Sequence, residues 1–251
     1  MKLRLAQPGL LVDIGRIGGL DGIVENDDEL RIGARATHCE IHEHPAIVER
    51  YPLLHDVSGG IGDPQVRNWG TIGGSIAHAD PASDWPAAVL AVNAHIVCRS
   101  LAGERVIPAR EFFLDSFTTA IDPAEVLVEI RFGRPGKGMG TAYTKLERRV
   151  GDYATAGVAA GTVLASDGTI QRAVIGVTGV SPSPFAATDA EAVLAGQVPS
   201  EEAFRRAGEA AAAMSEPVSD VRGPVEYKRA MVAELTVRSL RTAVQRALAS
   251  A

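Results

Sequence analysis

The sequence predicts an α+β protein in two parts, and three observations carry that expectation. Strand-like runs at Thr141–Arg148, Ala156–Ala165 and Ile170–Thr178 stand together in the second half. Helical stretches follow them: Ala190–Leu194, a run from Ser200 to Met214, and a long amphipathic segment, Glu226–Leu248, rich in Arg and Ala. Strands in a block before helices indicate an antiparallel three-stranded sheet with a helical layer on one face. Finally, the Gly-rich connector Gly133–Gly140 (GRPGKGMG) separates this block from a first half of different composition. It places a domain boundary there, giving domains 1–134 and 140–251.

Taken in order, the first half opens with a short strand at Leu10–Ile14 and then a hairpin. Its arms are Gly22–Glu25 and Glu29–Gly33, joined through Asn26-Asp27-Asp28, residues suited to turns. Thr37 followed by Glu40 has the spacing of a capping box, so a helix is expected to run toward Ile47–Arg50, with Pro45 near a first turn or at a break. A second helix is expected over Leu53–Ser58. Trp85–Val92 reads as a short buried helix starting near Asp84, with Pro86 in its first turn. Ala94–Ser100 and Gly103–Ala109 read as paired strands, and Glu125–Phe132 (EVLVEIRF) as another. In the second half, Ser166-Asp167-Gly168 marks a hairpin between two strands, Thr188 is placed to cap one helix and Ser200 the next.

Composition narrows the function. A formal charge of −6 over 251 residues argues against nucleic acid or an anionic membrane as the main partner. No apolar run approaches the ~20 residues of a membrane span, and no signal-peptide pattern opens the chain. Two cysteines, Cys39 and Cys98, make no disulfide framework, so a soluble cytoplasmic setting is expected. His38, Cys39, His42 and His44 raise the question of a metal, but they mix helical faces and lack an HExxH frame; a solvated polar face is the better reading. No Ser–His–Asp set or reactive-cysteine context is evident, and no residue is assigned a catalytic role. Asp80 and Asp84 flank Pro81 on a loop, so spacing does not define them as an acid–base pair.

The stretch Ser58–Asp84 holds Gly59, Gly60, Gly62, Gly70, Gly73 and Gly74 and reads as a long loop anchored by Val66, Trp69, Ile72 and Ile76. Glycines at positions 70, 73 and 74 would permit positive φ and close backbone approach to a ligand. Successive N–H groups in such a turn can form a concave anion site, although a Gly-Gly pair is equally at home in a simple tight turn. It is neither GxGxxG after a strand nor GxxxxGK[ST].

The run DPQVRNWGTIGGSIAHADPASDWPA resembles the second FAD-binding motif of the flavoprotein (medium) subunits of molybdenum hydroxylases, of the carbon monoxide dehydrogenase and xanthine dehydrogenase type. The resemblance implies an FAD-binding domain like that of the vanillyl-alcohol oxidases (PCMH type), with FAD contacted by Thr71, Ile72, Gly73, Gly74 and Ser75 and by the carboxylate of Asp84. TAYTKLERRVGDYATAGVAA is similar to the start of the family's C-terminal domain. There the resemblance makes Lys145 the basic residue that reaches the flavin and Tyr153 the aromatic beside its ring; on the residues alone they are ordinary strand positions. SDVRGPVEYKRAMVAELTVRSL resembles the family's closing segment, where Arg222 and Tyr227 would stabilise the fold.

In relatives a first glycine motif, A-G-G-[TH]-[SD]-L, precedes the segment that Met1–Leu11 resembles. The resemblance therefore implies a domain whose N-terminal lobe is absent here, and weak FAD binding by this chain alone. It further implies a partnership with a small [2Fe–2S] subunit and a large molybdopterin subunit, electrons passing through FAD to an external acceptor. Two cysteines cannot supply the four ligands of such a cluster, so the iron–sulfur carrier would sit on another chain. The alternatives are a stand-alone FAD-dependent oxidase and a truncated, non-catalytic assembly module.

Overall fold

The computed structural model of the chain describes residues 7–250. Strands β1 (Ile23–Glu25) and β2 (Glu29–Gly33) form the expected hairpin. Its turn is closed by the Asn26 side chain, whose oxygen accepts from the N–H groups of Asp28 and Glu29. Leu10–Ile14, in contrast, is not a strand, and Leu10, Leu11 and Val12 are exposed. None of the described strands lies beside it, and apolar residues without a ladder partner do not hold an extended pairing.

Helices α1 (His38–Glu43) and α2 (Pro45–Arg50) replace the single helix expected after Thr37. The capping box forms: Thr37 Oγ1 accepts from Glu40 N–H, and Thr37 N–H donates to Glu40 Oε2 at 2.7 Å. Pro45 then breaks the run and starts α2, where its missing N–H costs nothing. Next comes α3 (Pro52–Gly60), and the stretch expected as a loop contains two more helices, α4 (Pro64–Trp69) and α5 (Ile72–His78). Asp63 caps α4 through Val66 N–H, and Thr71 caps α5 through Gly74 N–H. These short caps outweigh the glycines, so Gly70, Gly73 and Gly74 do not have positive φ; among the glycines of the stretch only Gly62 does, at +54°.

Helix α6 (Asp84–Ala91) is buried along its whole length and leads into β3 (His95–Ser100) and β4 (Gly103–Pro108). A small hairpin, β5 (Phe113–Asp115) with β6 (Thr118–Thr119), precedes β7 (Val126–Gly133). The first sheet is antiparallel with strand order β1-β2-β7-β3-β4. Its inner face, with Ile32, Ile96 and Ile130, packs on Trp85, Ile72 and Phe112 in one core.

Beyond the connector, β8 (Met139–Leu146), β9 (Ala156–Leu164) and β10 (Ile170–Thr178) pair antiparallel, as expected, and a two-residue strand β11 (Phe185–Ala186) adds a fourth edge. Gly168, at φ +83°, makes the hairpin turn between β9 and β10. Helices α7 (Thr188–Leu194), α8 (Glu201–Met214) and α9 (Val225–Ala249) cover one face. Ser200 caps α8, whereas Thr188 is the first residue of α7 and its side chain caps nothing.

The opposite face of this sheet is not open. Residues two apart along a strand share a face. Val158, Ala160 and Ile175 join the core under the helices, while Ala159 and Val174 join the core of the first domain. α6 lies so close to β10 that a Cβ on Gly176 would stand 2.0 Å from Ala87 O. The second sheet is thus a wall shared by both halves, and β9, buried on both faces, reads as the near-continuous apolar run AGVAAGTVL.

Candidate functional site

A cleft of about 550 Å³ opens between the two halves. One wall is built from short helices: His38 on α1, Val66 and Trp69 on α4, Thr71 capping α5, and Gly74 and Ser75 on α5. The other wall is the loop carrying Gly151, Asp152 and Tyr153, and Asp80, Ser83 and Asp84 form the floor. The walls meet at two glycines, Gly62 and Gly151, both with positive φ; a Cβ on Gly151 would lie 2.8 Å from Gly62 O.

The floor is tied to the second sheet by backbone acceptors. Thr178 Oγ1 donates to Pro81 O and Ser83 O at 2.8 and 2.7 Å, Gly179 N–H to Pro81 O, and Ala154 N–H to Ala82 O. Ser75 and Ser83 share a hydroxyl–hydroxyl bond of 2.6 Å across the floor. These bonds fix the start of α6 and hence the place of Asp84.

Of the residues singled out from sequence, Thr71, Gly74, Ser75, Asp84 and Tyr153 come together on the cleft. Ile72 and Gly73 do not: Ile72 is fully buried in the core, and Gly73 packs on Ala34, whose carbonyl oxygen would stand 2.6 Å from a Cβ there. The expected array of free N–H groups is also absent from this turn. Ile72 N–H donates to Ala36 O, Gly73 N–H to Ala34 O, Gly74 N–H to Thr71 Oγ1 and Ser75 N–H to Thr71 O. The turn therefore offers hydroxyls and a wall without side chains.

Lys145 lies beneath the cleft. Its Nζ contacts Asp84 Oδ2 at 3.2 Å, Glu147 Oε2 at 3.0 Å, Gly60 O at 2.8 Å and Asp152 O at 3.1 Å. An ammonium has three donors, so these acceptors use its capacity in full. Tyr143, two residues earlier on β8, donates to Asp84 Oδ1 at 2.5 Å. Burial pushes the Asp84 carboxyl above its ordinary range, against the opposing pull of Lys145 and Tyr143. Burial, and then the Asp84 charge, pushes the Tyr143 phenol well up. Tyr153, half-exposed on the second wall, is raised by burial and by the carboxylates of Asp80 and Asp84.

Sequence reasoning missed Tyr143, Glu147, Asp152, Trp69 and the cleft role of His38. The signal for Tyr143 was its i, i+2 spacing to Lys145 on a strand, which puts both on one face. His38 Nδ1 accepts Trp85 Nε1–H at 3.1 Å, and burial pushes the imidazole pKa down to about 4, so His38 is neutral. His42 stacks on His55 at 4.0 Å, and Cys39 Sγ donates to Glu43. Among the described residues no group of His, Cys, Asp and Glu could hold a metal ion. No helix among them is long and apolar enough to cross a membrane.

Comparison with known proteins adds family, sequence and structural matches. The family described as "FAD binding domain in molybdopterin dehydrogenase" matches residues 1–135, and "CO dehydrogenase flavoprotein C-terminal domain" matches residues 141–243. The carbon monoxide dehydrogenase medium chain of Hydrogenophaga pseudoflava is 42% identical over 97% of this chain and 84% of its own length. Subunit alpha of the 6-hydroxypseudooxynicotine dehydrogenase complex of Paenarthrobacter nicotinovorans is 36% identical over 98% and 83%. Among solved structures, carbon monoxide dehydrogenase from Hydrogenophaga pseudoflava superposes with a TM-score of 0.95 at 44% identity, covering 98% of this chain and 85% of that one.

Proposed function

The chain belongs to the FAD-binding medium subunits of the molybdenum hydroxylases, of carbon monoxide dehydrogenase and xanthine dehydrogenase type, and from that premise we propose how it works. It receives electrons from the [2Fe–2S] clusters of a small partner subunit, fed by a large molybdopterin subunit, and hands them to an external acceptor. The observation that carries this reading is the cleft, walled by both halves of the chain and floored by carboxylates.

The residues present fit a flavin nucleotide. A cavity of about 550 Å³ lies in the size range of cofactor sites, ~300–1,000 Å³. Gly70 and Gly74 line the wall with bare backbone, and each packs against a polar group of that wall: a Cβ would stand 2.9 Å from His38 Nε2 at Gly70 and from Thr71 Oγ1 at Gly74. The hydroxyls of Thr71 and Ser75 suit phosphate oxygens. Asp84, Asp80 and Asp152 suit the O–H and N–H donors of a ribityl chain or ring, and Trp69 and Tyr153 supply aromatic faces. When bound, FAD supplies the chemistry, accepting electrons and releasing them to the acceptor. The chain's own residues hold and orient it and set the charge around it. Lys145 acts from below, by partly neutralising Asp84 and Glu147.

The division into domains 1–134 and 140–251 is supported by the change of sheet between β7 and β8. A cytoplasmic location is supported by Cys39 and Cys98 being free thiols. The test of the function is a stepwise anaerobic reduction of the purified complex, followed at flavin and cluster wavelengths. The proposal expects stoichiometric FAD that bleaches with electrons arriving through the clusters. Full reduction of the clusters with an unchanging flavin spectrum would overturn it.

A further inference from the structure

Asp84 is gripped from beneath on both oxygens by two residues of one strand: Tyr143 Oη at 2.5 Å and Lys145 Nζ at 3.2 Å. Tyr143 is itself well anchored. Its N–H donates to Asp56 Oδ2, and Asp56 is held by the Arg246 guanidinium at 2.6 and 3.0 Å. It pairs in register with Ala159 on the sheet face that meets the first domain.

One ammonium serves two carboxylates here, because Lys145 is shared between Asp84 and Glu147. The Tyr143 hydroxyl is therefore the contact to Asp84 that no other group shares. A hydroxyl that donates to a carboxylate stabilises its ionised form.

We infer that Tyr143 is a positioning residue: its hydroxyl fixes Asp84, as an ionised group, on the cleft floor, and the charge held there sets how readily the bound flavin is reduced. This inference rests on the placement of FAD in the cleft. Neither Tyr143 nor Lys145 lines the cleft, so both act through Asp84. The other ionisable groups around Asp84 are Glu147 beyond β8, Asp80 beside it on the floor, Asp152 and Tyr153 on the far wall, and His38 and His78 on the near wall. Of these, His38 stays neutral above pH of about 4.

The test is the flavin midpoint potential of the assembled complex, measured against pH. Protonating Asp84 removes a negative charge beside the flavin, so the plot bends where Asp84 titrates. Tyr143→Phe deletes a hydrogen bond that favours the ionised form alone. The bend then moves to higher pH, with FAD content unchanged. In Asp84→Asn the bend disappears, and adding Tyr143→Phe to that variant changes nothing further. A residue that merely packs would shift the potential alike in both backgrounds. The inference is overturned if the bend stays in place in FAD-replete Tyr143→Phe, if it survives in Asp84→Asn, or if the two substitutions act independently. A wild-type complex without FAD would instead sink the reading of the cleft itself, and this inference with it.

Discussion

Lys145 and Asp84 form an ion pair, Nζ to Oδ2 at 3.2 Å, that joins the second sheet to the first residue of α6 with both side chains 7% exposed. The pair lies 61 residues apart in sequence and sits under the cleft, so the second domain reaches the site through a carboxylate of the first. Removing one partner of a buried pair strands the other's charge. Lys145→Met is expected to cost about 3 kcal/mol or more in urea denaturation near neutral pH. Acidification should restore part of that loss as Asp84 takes up a proton. A variant as stable as wild type at every pH would place Lys145 among ordinary strand positions.

Gly73 and Gly74 are neighbours with different duties. Gly73 faces the Ala34 carbonyl, so Gly73→Ala is expected to destabilise the fold by about 1–3 kcal/mol. Gly74 faces the cleft, and a Cβ there would meet only Thr71 Oγ1, at 2.9 Å, outside the backbone of its own helix. Gly74→Val should therefore lower FAD content more than it lowers Tm. Flavin released from purified complexes, set beside thermal unfolding, checks both; a Gly74→Val complex with full FAD would show that the ligand does not approach this wall.

His38 gives a pH dependence whose sign is fixed. Burial lowers its pKa from 6.5 to about 4, while the unfolded chain binds a proton at the ordinary value. Its contribution is fully present above pH 6.5 and is lost as pH falls toward about 4, amounting to roughly 3 kcal/mol at most. His38→Gln keeps an acceptor for Trp85 Nε1–H and removes the titration. Denaturation at pH 7 and pH 5 should show a smaller difference for the variant than for wild type. An equal difference in both proteins would remove His38 from the acid response.

The chain has two tryptophans that report on different places. Trp85 is fully buried, whereas Trp69 is 89% exposed at the cleft mouth. Rebinding FAD after flavin removal is expected to quench the emission of Trp69, and Trp69→Phe should abolish most of the quench. Equal quenching in wild type and Trp69→Phe would put the flavin away from α4.

What the sequence disclosed and what it hid divide along the range of the interactions. Local chemistry was legible: the Thr37–Glu40 capping box, the Ser166–Gly168 turn and the paired runs of the second sheet all follow from neighbours in the chain. At Ser58–Asp84 the many glycines suggested a loop, and the caps Asp63 and Thr71 were passed over, although each sits one residue before its helix. Apolar residues at Leu10–Ile14 suggested a strand, but none of the described strands lies alongside to pair with it. The candidate site was half legible. Thr71, Gly74, Ser75, Asp84 and Tyr153 line the cleft, but the commitment of Lys145 to Asp84 and Glu147, and the hydroxyl of Tyr143 on Asp84, are contacts between distant segments that spacing does not encode.

FAD between the two halves of this chain would be seen in a cryo-EM reconstruction of the assembled, flavin-replete complex. Flavin density is expected in the cleft, with phosphate oxygens beside Thr71 and Ser75 and the ring side toward Asp84 and Tyr153. Density for FAD at any other place on the chain, with this cleft filled by solvent alone, would contradict it.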